Sequence, residues 1–114
     1  MVAEAIQLWA ATGLSAAQVS QLQNAQFVIT TLPSGVLGET IGNTVYIDAT
    51  ADGYGWFLGS VLSGQVAPNK IDLLTVVSHE LGNVLGLPEL HGAQQQPGNV
   101  MDDTLAPGVR RLEM

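Results

Sequence analysis

His79 and Glu80 stand side by side in the stretch Ser-His-Glu-Leu-Gly-Asn-Val-Leu-Gly-Leu-Pro-Glu-Leu-His, residues 78–91. A helix that carries histidines at i and i+4 turns two imidazoles to one face, where they can grip zinc. A glutamate beside the first can take a proton from zinc-bound water. The first histidine and the glutamate are present; Asn83 occupies the position of the second. An amide oxygen can reach a metal, but it donates more weakly than neutral imidazole. Glu89 and His91 follow as candidate further ligands, Glu89 by spacing and His91 by chemistry.

These groups need a helix to hold them. Leu74, Val77, Leu81, Val84 and Leu85 recur at helical spacing and predict a buried face. Asp72, Val76, His79, Glu80 and Asn83 fall toward the other face. Asp72 is a favoured N-cap type, and Gly86 with Pro88 predicts the helix end. Gly82, inside the helix, costs about 1 kcal/mol against alanine, which predicts a close neighbour there.

The stretch from Asp72 to His91, followed by Val100-Met101, resembles the metzincin zinc endopeptidases, and within them the matrixin-like bacterial group. That motif is His-Glu-x-x-His-x-x-Gly-x-x-His followed by a methionine-containing turn. His79, Glu80 and Gly86 match it by position, and Met101 stands as the Met-turn residue. Asn83 and Glu89 occupy the second and third ligand positions; some relatives carry an aspartate at the third. Residues 36–40 and 44–48 resemble, more weakly, the matrixin edge strand and its neighbour. Structural-zinc histidines of the animal matrixins have no counterpart.

The resemblance implies an α/β (α+β) domain of zincin type. It has a small twisted mixed sheet of about three to five strands, a backing helix and an active-site helix below a cleft. It implies a metalloprotease, a hydrolase of peptide bonds, with zinc held by His79, position 83 and Glu89 or His91. Glu80 is then the general base and Met101 an apolar floor. Val36, Leu37, Gly38, Glu39 and Thr40 bind an extended peptide or protein substrate by strand addition. It implies a secreted or cell-surface bacterial setting, as a domain of a larger protein. Two other readings stand beside it: a non-catalytic peptide-binding module that keeps the cleft, and a structural domain of a surface protein, stabilised by calcium.

The rest of the chain bounds these readings. Its 114 residues fit one domain. Hydrophobic residues make up 46% and charged residues 11%, which is a globular rather than a disordered composition. The net charge of -7 repels phosphate backbones, so nucleic acid is not an expected partner. There is no cysteine, hence no disulfide and no thiolate ligand. No apolar run approaches membrane-spanning length. The first residues, with Glu4 and Gln7, lack a basic leader and apolar run, so no signal peptide is expected there.

Further elements follow from local signals. Val2, Ile6, Trp9 and Ala10 predict a first helix that stops at Gly13. Ser15 and Gln18 form a capping box, with Leu14 and Val19 as a staple, and predict a second helix over 16–24. Strands are expected over 26–32, 36–41 and 44–49, the last two joined by a tight turn at Gly42-Asn43. Residues 48–53 partly mimic a calcium loop but lack its closing glutamate. Residues 56–58 read as core, 59–70 as linker-like and 92–99 as polar loop. Trp9 and Trp56 read as core, and Asp102 and Asp103 as residues that could orient a metal ligand.

Overall fold

A computed structural model describes residues 1–96 and 98–114. The described residues form a mixed α/β domain with three helices and two small sheets. Helices α1 (Val2–Ala10) and α2 (Ala16–Gln23) precede strands β1 (Gln26–Thr30), β2 (Gly38–Ile41) and β3 (Thr44–Asp48). Strands β4 (Trp56–Phe57) and β5 (Ile71–Asp72) lead into helix α3 (Leu73–Val84). The larger sheet runs β1-β3-β2, with β1 parallel and β2 antiparallel to β3. The pairing of β4 with β5 is parallel and was not legible from two-residue strands.

Local chemistry explains the first elements. Ser15 Oγ accepts from the Gln18 amide at 3.1 Å, and Gln18 Oε1 accepts from the Ser15 amide at 2.9 Å. Both arms of the capping box are therefore made. The β2–β3 hairpin turns on Gly42 at φ +61, while Asn43 keeps negative φ. Positive φ at the first central residue only is the II′ pattern, which glycine adopts without strain.

Helix α3 lies between the β2–β3 face on one side and α1 with α2 on the other. Its burial is therefore wider than one stripe. Asp72 (0% exposed), Val76 (5%) and Glu80 (4%) are enclosed, whereas the apolar pattern placed all three on the opposite face. The reason is tertiary: β2 covers the side that α1 leaves open. Leu74, Val77, Leu81 and Val84 are buried as the pattern predicts.

Trp9 fastens α1 to α3, its Nε1 donating to the Ser78 carbonyl at 2.7 Å. Ser78 and Gly82, one turn apart, make room for the indole. A Cβ at Gly82 would meet Trp9 Cζ2 at 2.9 Å and the Met101 sulfur closer still. Gly82→Ala gains about 1 kcal/mol of helix propensity, but overpacking a rigid indole costs about 1–3 kcal/mol. The expected outcome is a lower melting temperature, read by thermal unfolding, despite the better helix former. Gln21 adds a second tie, its Nε2 donating to the Val84 carbonyl at 2.8 Å.

The linker-like segment is anchored rather than loose. It holds a 3₁₀ turn at Val61–Ser63, and Val66 is buried. Of residues 56–58, expected to be core, Trp56 is half-buried and packs against the core, whereas Leu58 is 69% exposed, because the two-residue β4 ends before it. Pro97, within the predicted polar loop, lies outside the described residues. Residues Gly92–Gln94 of that loop form a 3₁₀ turn. Among the described residues, no helix is long and apolar enough to cross a membrane.

Candidate active site

Helix α3, the β2 edge and the turn at 99–102 enclose an open cleft of about 620 Å³. His79 and Glu80 line it from the helix, Gly38 and Glu39 from the strand, and Val100 from the turn. The His79 side chain is 12% exposed and that of Glu80 only 5%.

His79 is held from both ring nitrogens. Nδ1 lies 2.8 Å from the Val100 carbonyl, which can only accept, so Nδ1 carries the proton. Nε2 lies 3.2 Å from Glu89 Oε1, a contact that needs a proton on one of the two, and 3.8 Å from Glu80 Oε2; in the ring that carries a single proton, Nε2 is the nitrogen with a lone pair to offer. Main-chain support of one nitrogen is the usual way an imidazole is oriented toward a metal. The sequence offered Asp102 and Asp103 for this task. Instead Asp102 binds Arg111 Nη1 at 2.6 Å, and Asp103 binds His91 Nδ1 at 3.1 Å and Gln95 Nε2 at 2.7 Å. The orienting acceptor is a carbonyl, which no side-chain pattern reveals.

Glu80 rests on Thr40, whose Oγ1 is 2.9 Å from Glu80 Oε1 and 3.2 Å from the Glu80 carbonyl. Thr40 thus acts on the carboxylate through its side chain, in addition to its expected place on the edge strand. Gly38 allows the close approach: a Cβ there would sit 3.1 Å from Glu80 Cγ, Glu80 Oε2 and Val76 Cγ1. Burial pushes the Glu80 carboxyl above its ordinary value of 4.5, against the lowering effects of His79 and the Thr40 hydrogen bond. Nearby Glu89 and Glu39 add smaller upward pushes.

This shift has a stability consequence. Above pH 4.5 the folded chain holds the Glu80 proton more tightly than the unfolded chain, so stability falls as pH rises through the folded value. Glu80→Gln keeps a carbonyl oxygen for Thr40 and removes the charge. Its melting temperature relative to the parent is expected to rise progressively from pH 4.5 upward. A difference that is flat with pH would contradict burial of the charged form.

The remaining ligand candidates divide. Glu89 reaches His79, with its side chain 44% exposed. Asn83 turns its Nδ2 to the Leu87 carbonyl at 3.0 Å, past the helix end. His91 is drawn to Asp103 rather than to His79. Among the described residues, no group of three or more His, Cys, Asp or Glu is placed to hold a metal. Met101 is buried (5% exposed) and packs on Gly82 from beneath the helix, next to Val100.

Strand β2 has no neighbour on its outer side among the described residues. The Leu37 carbonyl accepts from the Asp48 amide at 3.0 Å, so residues 37, 39 and 41 turn their main chain to β3. Gly38 and Thr40 therefore present theirs to the open edge. Val36 and Leu37 line the cleft but precede the strand. Residues 48–53 close on themselves: the Asp48 carboxylate accepts from the Leu32, Thr50 and Asp52 amides and from the Thr50 hydroxyl. These bonds hold its carboxyl below the usual range, the Asp52 amide foremost.

The cleft is braced from the far end of the chain. Arg110 Nε and Nη2 grip the Asp72 carboxylate at 2.8 and 2.9 Å, and its Nη1 and Nη2 reach the carbonyls of Ser60 and Gly59. Asp72 occupies the N-cap position of α3 but makes no side-chain cap; it takes Arg110 and the Thr75 hydroxyl instead. Arg111 lines the cleft and ties Asp102 to Thr75. Neither arginine was a candidate from the sequence, because their partners lie at separations of 9 to 51 residues.

No protein family matches the chain, and no curated protein or solved structure matches it either.

Proposed function

We propose that the cleft is a peptide-hydrolysing site of the metzincin, matrixin-like type, weakened by Asn83. The observation that carries the reading is the convergence of His79 Nε2, Glu80 Oε2 and Glu89 Oε1 below a free strand edge. Two of these side chains, His79 and Glu89, suit zinc. A catalytic zinc usually takes three protein donors, and the third is what position 83 fails to supply. The fit to zinc is thus partial. Zinc held there would polarise a substrate carbonyl and acidify water.

The chain's own residues do the rest. The main-chain groups of Gly38 and Thr40 align an extended peptide by strand addition. Glu80 takes a proton on Oε2 from a water whose oxygen bonds to the acyl carbon, its other oxygen being held by Thr40, and passes that proton to the nitrogen that leaves as the C–N bond breaks. Its raised proton affinity suits that exchange. Val100 keeps His79 in one tautomer, and Met101 supports the helix beneath. A secreted or cell-surface setting, within a larger bacterial protein, accords with this activity.

A second reading, peptide binding without hydrolysis, is favoured by the Asn83 amide turning to the Leu87 carbonyl. One experiment separates the two: incubation with an unfolded protein at increasing zinc, with and without chelator. Chelator-sensitive cleavage supports hydrolysis. Peptide binding without cleavage at any zinc concentration supports the second reading, and neither binding nor cleavage overturns both.

A further inference from the structure

His79 stands between two acceptors. The Val100 carbonyl lies 2.8 Å from Nδ1, and Glu89 Oε1 lies 3.2 Å from Nε2. A ring with a single proton can satisfy only one of them. Which nitrogen keeps its lone pair therefore depends on how firmly the Val100 carbonyl is aimed. That carbonyl belongs to the central peptide of a tight turn, closed by the Asp102 amide donating to the Asn99 carbonyl at 3.2 Å. The flanking peptides are tied by main chain. The Val100 amide donates to the Glu113 carbonyl, and the Met101 carbonyl accepts from the Leu90 amide, both at 2.8 Å. The central peptide is trans and planar, so its carbonyl and its N–H point in opposite directions. The carbonyl meets His79. The N–H meets the Asn99 side chain, whose Oδ1 accepts from the Met101 amide at 2.8 Å.

We infer that Asn99 is the positioning residue of His79. By holding the N–H end of the central peptide, its side chain aims the carbonyl end at Nδ1 and leaves Nε2 with the lone pair. It acts through Val100 rather than on the ring itself. The inference rests on the proposed function only for what a directed Nε2 is used for; the setting of the ring stands apart from it. Rotating the central peptide by half a turn converts a type I turn to type II and carries the carbonyl away from His79. Asparagine at the first position opposes that rotation, because its side chain bonds the N–H two residues on. Met101 keeps a negative φ, as the unrotated form requires. Of the bonds that shape this turn, the one from Asn99 is made by a side chain, so a substitution removes it and leaves the main-chain bonds in place.

The test reads the ring directly, on the intact protein free of zinc and peptide. The chain has two histidines, and His91→Gln assigns the signals of His79. Nitrogen NMR of the isotope-labelled imidazole, at a mildly alkaline pH where the ring carries one proton, gives the ratio of its two tautomers. The parent protein is expected to show the Nδ1–H form as the major one. Asn99→Ala is expected to shift the ratio about two- to tenfold toward the Nε2–H form, the worth of one hydrogen bond, as Glu89 wins the proton. Asn99→Asp keeps the acceptor and should retain the parent ratio. Asn99→Ser, a weaker acceptor of the same kind, should fall between. A role confined to stability would lower the melting temperature and leave the tautomer ratio of the folded protein unchanged; that result would overturn the inference. So would a predominant Nε2–H form in the parent, or equal shifts for Asn99→Ala and Asn99→Asp. If Asn99→Ala does not fold, Asn99→Ser against Asn99→Asp decides in its place. None of these outcomes involves cleavage, so the hydrolytic reading stands or falls separately, on the zinc-dependent assay.

Discussion

Asn83→His is expected to tighten zinc binding by at least about tenfold to a hundredfold and to create or increase cleavage of an unfolded protein. The size follows from what the change supplies. Removing even an outer partner of a metal ligand commonly costs about 10–100-fold, so adding a direct donor should return at least as much. Position 83 is one helical turn beyond His79 on α3, and residues at that spacing share a face. The exchange also gives up the bond from Asn83 to the Leu87 carbonyl, so a small loss of stability in the metal-free protein accompanies the gain. Zinc restores that stability through mass action, which makes the melting temperature depend on zinc concentration. A competition titration against a chromophoric chelator reads the affinity directly. If it detects no change, position 83 does not face a metal site.

Arg110→Met is expected to cost about 3–5 kcal/mol, because it leaves the Asp72 carboxylate, 0% exposed, without its cation. Against a typical total of about 5–15 kcal/mol, that is enough to bring the fold close to its limit. The guanidinium also closes the chain at Gly59 and Ser60 and stacks 5.9 Å from the Phe57 ring centroid. Its proton is held more tightly than usual, the Asp72 hydrogen bonds being the main cause. Adding Asp72→Asn to Arg110→Met removes the stranded charge and should recover part of the loss in urea denaturation. A cost below about 1 kcal/mol for Arg110→Met alone would put the pair in the class of exposed ion pairs and remove the brace from the account.

The contrast between these two residues shows what the chain discloses locally. The capping box at Ser15 and the hairpin turn at Gly42 depend on residues next to one another or on a strict spacing, and a glycine inside α3 signalled a close neighbour without naming Trp9 or Met101, which are distant in sequence. His79 and Glu80 also declared themselves, because helical periodicity alone sets them side by side. Asp72 was legible as the start of α3, yet its carboxylate serves a different purpose. A guanidinium 38 residues away competes better for it than the helix amides do. Thr40 and Glu80, 40 residues apart, meet only because β2 folds over α3. The acceptor for His79 is a main-chain carbonyl, present at every residue and therefore marked at none. Strand length was overread at Val36, which lines the cleft ahead of the ladder; Leu37 already accepts from the Asp48 amide, although β2 itself begins at Gly38.

The measurement that bears most directly on the hydrolytic reading is Glu80→Gln made in the Asn83→His protein, with zinc content and cleavage determined on the same sample. Zinc should stay bound while cleavage falls by at least about 100-fold, because the proton carrier is lost and the metal donors are not. Cleavage continuing undiminished with zinc in place would contradict the role given to Glu80, and with it the chemistry assigned to the cleft.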